Sequence, residues 1–341
     1  MFVGINIVGI RPGYGGGEEV YLRNVLTTMQ DLQRSTRFVL FTDSANHDSF
    51  SDYERVQVSP HDSLDTVARD EKVDLLYSSL FRMESPVSVP YVLYAMDLRE
   101  PTQNSRDRHR LGKATLRTLK SLCGGAAGLV TPSEYVKRQL LELLDVPMDR
   151  VVVAPLGVKE AFGEPQECTV EKPYFLVVGR TRKVKNLPML LEAFGRVSKD
   201  IPHNLVIVGQ PDEGELEDWG PRVVRVDRLP VKQLAGLYQH SHLFICPSLY
   251  EGSGVTVLEA MKAGARVATG RVGGVTEVAS DSPLFFNPES ADSLVMVLRR
   301  AVTESDADRA RRIQFGKQLA ADFTWEQCAW RTLAGFRKAR D

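Results

Sequence analysis

Residues 247–264, PSLYEGSGVTVLEAMKAG, read as a strand end, a glycine turn and a helix start in immediate succession. The preceding HLFICPS (242–248) is a short apolar run closed by Pro and Ser, which predicts a buried strand. Gly252 and Gly254 permit backbone geometries and close approaches that a side chain would block, and Val255 to Met261 then predicts a helix. Strand, glycine turn and helix in that order make the repeating unit of a parallel α/β sheet. Such a turn presents free backbone amides, a natural seat for an anion or for sugar hydroxyls.

Outward from this stretch the same unit recurs. YFLVVG (174–179), NLVIVG (204–209), ARVATG (265–270) and PLFFN (283–287) predict further strands in the second half. In the first half, FVGINIVGI (2–10), FVLFT (38–42), DLLYSS (74–79), YVLYAM (91–96) and GLVTPS (128–133) do the same. Leu22, Val25, Leu26 and Met29 lie at helical spacing after the first of them. Between the halves GVKEAFGEPQECTVEKP (157–173) is polar, proline-bearing and aperiodic, and predicts a hinge. A chain of 341 residues exceeds what one core serves. Two α/β domains are expected, with ligands at the carboxyl ends of the strands, in the cleft between the domains.

Composition excludes several classes. With 43% hydrophobic and 26% charged residues the chain has the makeup of a folded globular protein. A net charge of −1, from 43 basic and 44 acidic side chains, gives no reason to expect nucleic acid as a partner. Cys123, Cys168, Cys246 and Cys328 are far apart and form neither a zinc knuckle nor a disulfide scaffold, which points to a reducing compartment. The N-terminus lacks the basic start of a secretory signal, and no run reaches the roughly 18 apolar residues of a membrane span. The expected location is cytoplasmic, in solution or on the membrane face. For the latter, the segment 106–121 carries Arg106, Arg108, Arg110, Lys113, Arg117 and Lys120 against one acid, Asp107, and is a candidate contact through 106–120 with an anionic surface or acidic acceptor. A solvated helix face, with Leu111, Leu116 and Leu119 packed inward, is the competing reading.

Metal and dinucleotide readings are weak. Asp306-Ala307-Asp308 is the one Asp-x-Asp, and its polar surroundings predict a helix start with a capping role. His240 and His242 have no acidic partner in sequence and read as packing or surface residues. RPGYGGGEEV (11–20) has the look of a dinucleotide fingerprint, but Glu18 stands where the third glycine would meet the pyrophosphate.

Taken together, the Pro-Ser strand end, the glycine turn, Glu251, Glu259 and the following Glu-Ala-Met-x-Ala-Gly resemble the signature of the retaining glycosyltransferases of family 4. GRTRKVKNLPMLLEAF (179–194), TPSEYVKRQL (131–140), VVVAPLGV (151–158), GGVTEV (273–278) and FTWEQCAWRTLAGF (323–336) resemble that family's other segments. The resemblance implies the GT-B fold, α/β with two Rossmann-like β/α/β domains facing each other across a cleft. It implies an acceptor domain of residues 1–160 joined by a C-terminal helix in 321–341, and a donor domain of 161–320.

Roles for individual residues are likewise implied by the resemblance. Arg180 and Lys185, with Arg182 and Lys183 nearby, would stabilise the leaving diphosphate. Glu251 and the turn through Gly252, Ser253, Gly254, Val255 and Thr256 would hold sugar and phosphate, Glu259 the ribose, and Gly209 and Arg228 the base. Gly16 and Gly17 would face the donor from the first domain, with Glu18 and Asp97 on the acceptor side. The implied activity is metal-independent transfer of a hexose-type sugar from a UDP- or GDP-sugar to a glycan, lipid-linked or small-molecule acceptor. No cofactor beyond that substrate is needed. Three positions depart from the family pattern: Met96 for the usual His before Asp97, Ser253 for Phe, and Asp227 for Gly. Met96 and Ser253 keep open a nucleotide-sugar binding protein without transfer, and a non-transferring GT-B enzyme such as an epimerase is a further alternative.

Overall fold

Strands whose two faces are both apolar must be covered on both sides, and that requirement shapes the chain. The computed structural model describes residues 1–13, 16–98, 113–179, 183–209, 219–220 and 222–340. They form two units: residues 1–98, 113–157 and 325–340, and residues 158–324 where described.

The first unit runs β1 (Phe2–Asn6), α1 (Gly16–Leu32), β2 (Arg37–Thr42), β3 (Arg55–Gln57), α2 (Leu64–Asp70), β4 (Leu75–Ser79), β5 (Tyr91–Tyr94), α3 (Lys113–Gly125), β6 (Gly128–Thr131), α4 (Glu134–Leu144) and β7 (Val151–Val153). Its sheet is parallel throughout in the order β3-β2-β1-β4-β5-β6-β7. The second unit runs β8 (Tyr174–Val178), α5 (Leu187–Val197), β9 (Asn204–Val208), β10 (Val223–Val226), α6 (Val231–His240), β11 (Leu243–Cys246), α7 (Val255–Ala263), β12 (Val267–Thr269), α8 (Val275–Ala279), β13 (Leu284–Phe285), α9 (Ala291–Thr303) and α10 (Asp306–Ala321). Its sheet, β10-β9-β8-β11-β12-β13, is also parallel. The last helix, α11 (Trp325–Lys338), belongs to the first unit.

Side-chain alternation builds two cores around the second sheet. Tyr174 and Leu176 of β8 point into a cluster with α6 and α7, while Phe175 and Val177 point to the opposite face, into a cluster with α5 and α9. Both sheets reverse strand order beside their first strand, between β1 and β4 and between β8 and β11. At such a switch point the loops diverge to opposite faces and leave a crevice at the carboxyl ends of the strands.

Two short strands, β3 and β10, carry no apolar run long enough to be recognised locally; RVQ and VVRV pair only because a longer strand lies beside them. The division between units falls at 157/158, and the return to the first unit begins at Trp325 rather than Ala321, because α10 ends at Ala321 within the second unit. In α11, Cys328, Leu333 and Phe336 are buried, and the Phe336 ring meets Tyr77 edge-on at 4.8 Å. The capping role expected of Asp306 and Asp308 belongs instead to Ser305. Its Oγ accepts from Asp308 N at 3.1 Å and donates to Asp308 Oδ2 at 2.8 Å, while both aspartates sit in the first turn. His240 and His242 bond backbone carbonyls, of Gln166 and Ala301, as structural residues.

One buried charge ties α9, α10 and β12 together. Arg266 is 2% exposed; its Nη1 lies 2.7 Å from Glu304 Oε2, and Nη2 donates to Ala301 O at 2.6 Å and to His242 O at 3.2 Å. Arg312 Nε reaches the other Glu304 oxygen at 3.0 Å. Removing one partner of such a pair strands a charge in a dry interior. Glu304→Ala is therefore expected to cost about 3–5 kcal/mol in urea-induced unfolding; a loss below about 1 kcal/mol, the value of an exposed pair, would contradict this assignment.

Candidate functional site

The site of the second unit is assembled from the loops that leave β8 and β11. Gly179 ends β8 at φ +136, and the chain returns through Lys183–Lys185 to Asn186, itself left-handed at φ +55. Asn186 Nδ2 donates to Pro288 O at 2.6 Å, and Leu249 N donates to Val184 O at 2.9 Å. The second of these bonds ties the β8 loop to the β11 loop. Across the join, Lys185 Nζ lies 2.6 Å from Glu251 Oε1, with side chains 22% and 13% exposed. Cys246 Sγ, at the end of β11, approaches the same carboxylate oxygen at 3.7 Å.

Two glycines shape the turn. Gly254 is left-handed at φ +68, and a Cβ there would meet Val278 Cγ2 at 2.9 Å. A Cβ on Gly274 would meet Gly252 O at 2.4 Å, and Gly274 N donates to Glu251 O at 2.8 Å. The GGVTEV turn thus packs directly under the EGSG turn and fixes the backbone of Glu251. Helix α7 then starts without a side-chain cap, with Val255 N reaching only Ser253 Oγ at 3.4 Å. α5 also starts without one. Uncapped first-turn amides attract anions. Thr256 Oγ1 is buried with no hydrogen-bond partner among the described residues.

One turn further along α7, Glu259 Oε2 accepts a hydrogen bond from Tyr238 Oη at 3.3 Å. Burial pushes its carboxyl up to about 7, against the pull of that bond and of the Lys159 and Lys185 charges. The structure therefore gathers Lys185, Glu251, Gly252, Ser253, Gly254, Val255, Thr256 and Glu259 around one turn. Gly209, at φ +142, ends β9 with its N–H on Val226 O at 2.9 Å, and Arg228 follows β10 on the surface. Arg180 and Arg182 lie outside the described residues, as does the side chain of Lys183. Among the described residues no three His, Cys, Asp or Glu converge as a metal ion requires.

Residues 158–319, almost the whole second unit, match the family model for glycosyl transferases, group 1. The match is confined to this segment, a little under half of the chain. A relative, O-antigen chain mannosyltransferase B of Escherichia coli, is 25% identical over 260 residues, covering 70% of this chain and 66% of the relative. The chain thus spans no more than about two thirds of that relative's length. Among solved structures, sucrose-phosphate synthase from Thermosynechococcus elongatus superposes with a TM-score of 0.79 at 17% identity, covering 99% of this chain and 98% of that one. HepE of Anabaena, in complex with UDP and glucose, superposes at 0.76 and 16% identity, covering 99% of each. These likenesses establish the fold, GT-B, and not the substrate.

In the first unit, of the two expected acceptor-side residues, Glu18 lies at that sheet's own switch point. Glu18, in the first turn of α1, is clamped by Arg82, which follows β4: Nε donates to Oε1 at 2.9 Å and Nη2 to Oε2 at 2.6 Å. Tyr94 Oη adds a bond to Oε1 at 2.9 Å. Behind it the Tyr21 and Tyr77 hydroxyls bond each other. Gly16 and Gly17 open α1 and are exposed, and Asp97 lies just past β5, half-buried. Of the basic segment, 106–112 lie outside the described residues; Arg117 is exposed and Lys120 pairs with Asp145. Among the described residues no helix is long and apolar enough to cross a membrane.

Arg82, Tyr94, Cys246 and Tyr238 join these sites without having been expected from the sequence. Only Tyr238 carries a local signal, a hydroxyl on the otherwise apolar stripe of LAGLYQH.

The Glu259 carboxyl gives a pH prediction. Its folded-state value lies above the ordinary one, so between about 4.5 and 7 the folded protein holds a proton that the unfolded chain has lost, and stability falls as pH rises through that window. Glu259→Gln removes the group from both states. The melting temperature of the variant relative to wild type is expected to rise by about 2–4 °C between pH 5 and pH 8; a difference independent of pH would contradict the raised value.

Proposed function

We propose that the protein transfers a hexose-type sugar from a UDP- or GDP-sugar to a glycan, lipid-linked or small-molecule acceptor, with retention of configuration and without a divalent metal. The observation that carries this reading is the convergence of Lys185, Glu251 and the uncapped start of α7 at one switch point. A mannosyltransferase among the relatives, and a neighbour solved with UDP and glucose, support the substrate class.

The chemistry follows from charge. As a nucleoside diphosphate departs, negative charge grows on its β-phosphate and positive charge on the sugar ring. Lys185, with Arg180 and the first-turn amides of α7, supplies fixed positive groups for the former. Glu251 supplies a carboxylate for the latter. Their mutual ion pair leaves neither charge uncompensated before substrate arrives. Same-face attack, with the leaving phosphate accepting the acceptor's proton, needs no dedicated protein base. Met96, which cannot shuttle a proton, is compatible with that route. The reaction belongs on the cytoplasmic side, where nucleotide sugars are its donors.

Two substitutions separate the roles. The ribose contact of Glu259 exists in ground and transition states alike, so Glu259→Gln should chiefly raise donor KM. Glu251 gains value as the ring becomes cationic, so Glu251→Gln should lower kcat by about ten- to a thousand-fold with modest change in donor affinity. Steady-state kinetics on both folded variants decides: normal kcat in Glu251→Gln, or loss of donor affinity alone in both, would reduce Glu251 to a binding residue. In the same assay wild-type activity should survive EDTA; loss in EDTA restored by Mn²⁺ or Mg²⁺ would overturn the metal-free reading.

A further inference from the structure

Glu259 does not stand alone, and its single hydrogen-bond donor among the described residues is a side chain whose position nothing else in the site explains. Tyr238 is fully buried on α6. Its ring is fixed edge-on by Phe162 at 5.8 Å and by Phe244 of β11 at 5.1 Å, so the hydroxyl has one place to point. Phe162 is held in turn: its carbonyl accepts from Gln239 Nε2 at 3.1 Å, and Glu160, two residues earlier, pairs with Lys262 of α7 at 2.5 Å. α6, the turn Glu160–Phe162 and α7 thus form a closed clamp around one phenol–carboxylate contact. A phenylalanine would pack in this apolar surrounding equally well; what tyrosine adds is the bond to Glu259 Oε2.

We propose that Tyr238 is a positioning residue for the donor, fixing one oxygen of Glu259 so that the other is presented to the ribose hydroxyls of the nucleoside-diphosphate sugar. This rests on the reading of Glu259 as the ribose ligand. The phenol also acts on the charge of that carboxylate. The groups that face it are Tyr238 from α6, Lys159 from the segment before the Glu160–Phe162 turn, and Lys185 from the β8 loop; Lys262 on α7 is neutralised by Glu160, and Cys246 and Glu251 act on the Tyr238 phenol. The Tyr238 bond and the two lysines favour the ionised form, against burial. Without the hydroxyl the carboxyl moves higher, and less of it is ionised at neutral pH to accept from a diol.

The test compares Tyr238→Phe, Glu259→Gln and wild type in donor KM, kcat and the pH profile of kcat/KM. Tyr238→Phe is expected to raise donor KM about three- to ten-fold at pH 7, the net value of one ordinary hydrogen bond. Its kcat at saturating donor should stay within about two-fold. The acid limb of kcat/KM should move to higher pH, and the KM difference should close toward pH 9, which a merely structural role would not produce. If Glu259→Gln raises KM but Tyr238→Phe leaves both KM and the acid limb at wild type, the inference is overturned while the ribose reading stands. If Glu259→Gln also leaves KM unchanged, the ribose reading fails and the inference with it. Should Tyr238→Phe not fold, Phe162→Leu loosens the ring while keeping the hydroxyl; a smaller shift of KM and acid limb in the same directions supports the role, and none overturns it.

Discussion

The ion pair between Lys185 and Glu251 is the interaction on which the site depends. Two residues 66 positions apart meet because β8 and β11 are neighbours at the point where strand order reverses. Everything nearby serves that meeting. Gly179 leaves room for the lysine stem, which passes 3.3 Å from where a Cβ would stand. Asn186 holds the loop to Pro288, and Gly274 packs under Gly252 to set the backbone of the glutamate. The half-buried location strengthens the pair and makes its charges available to a ligand that displaces water.

The first unit repeats the device with different residues. There the carboxylate of Glu18 belongs to the helix that follows β1, and the guanidinium of Arg82 belongs to the turn that follows β4, the two strands at that sheet's reversal. In each unit a carboxylate and a cation from adjacent strand ends neutralise one another at the carboxyl edge. A parallel sheet gathers polar loops at that edge while its strands remain apolar, so opposed charges there can be partly buried without an unpaired ion. The bidentate Arg82, aided by Tyr94, makes the tighter clamp; the single-point Lys185 is the one better suited to change partner.

Legibility in the sequence tracks the physical demand behind each feature. The long strands were legible because burial on both faces demands a continuous apolar run, as in YFLVVG and NLVIVG. The glycine turn was legible because left-handed backbone at Gly254 strongly favours glycine. RVQ and VVRV were not, since their pairing is set by a neighbouring strand rather than by their own composition. The Lys185–Glu251 contact was foreshadowed only as two separate binding residues: resemblance assigned each a ligand, and neither spacing nor periodicity shows that they touch. Arg82 and Cys246 were silent for the same reason, since contacts across a sheet reversal have no local signature. The helix start at Asp306-Ala307-Asp308 is legible, but which residue caps it is not: Ser305 and both aspartates are acceptable caps, and only the backbone decides which stands at the first non-helical position.

Calorimetric titration of wild type and Lys185→Met with UDP, GDP and the corresponding monophosphates, in EDTA, decides whether Lys185 serves a diphosphate or merely holds Glu251. One of the two diphosphates is expected to bind wild type more tightly than its monophosphate, and Lys185→Met to lose this advantage, by about ten- to a hundred-fold, while monophosphate affinity changes little. Equal loss for both nucleotides, or diphosphate binding indifferent to the substitution, would contradict the diphosphate role.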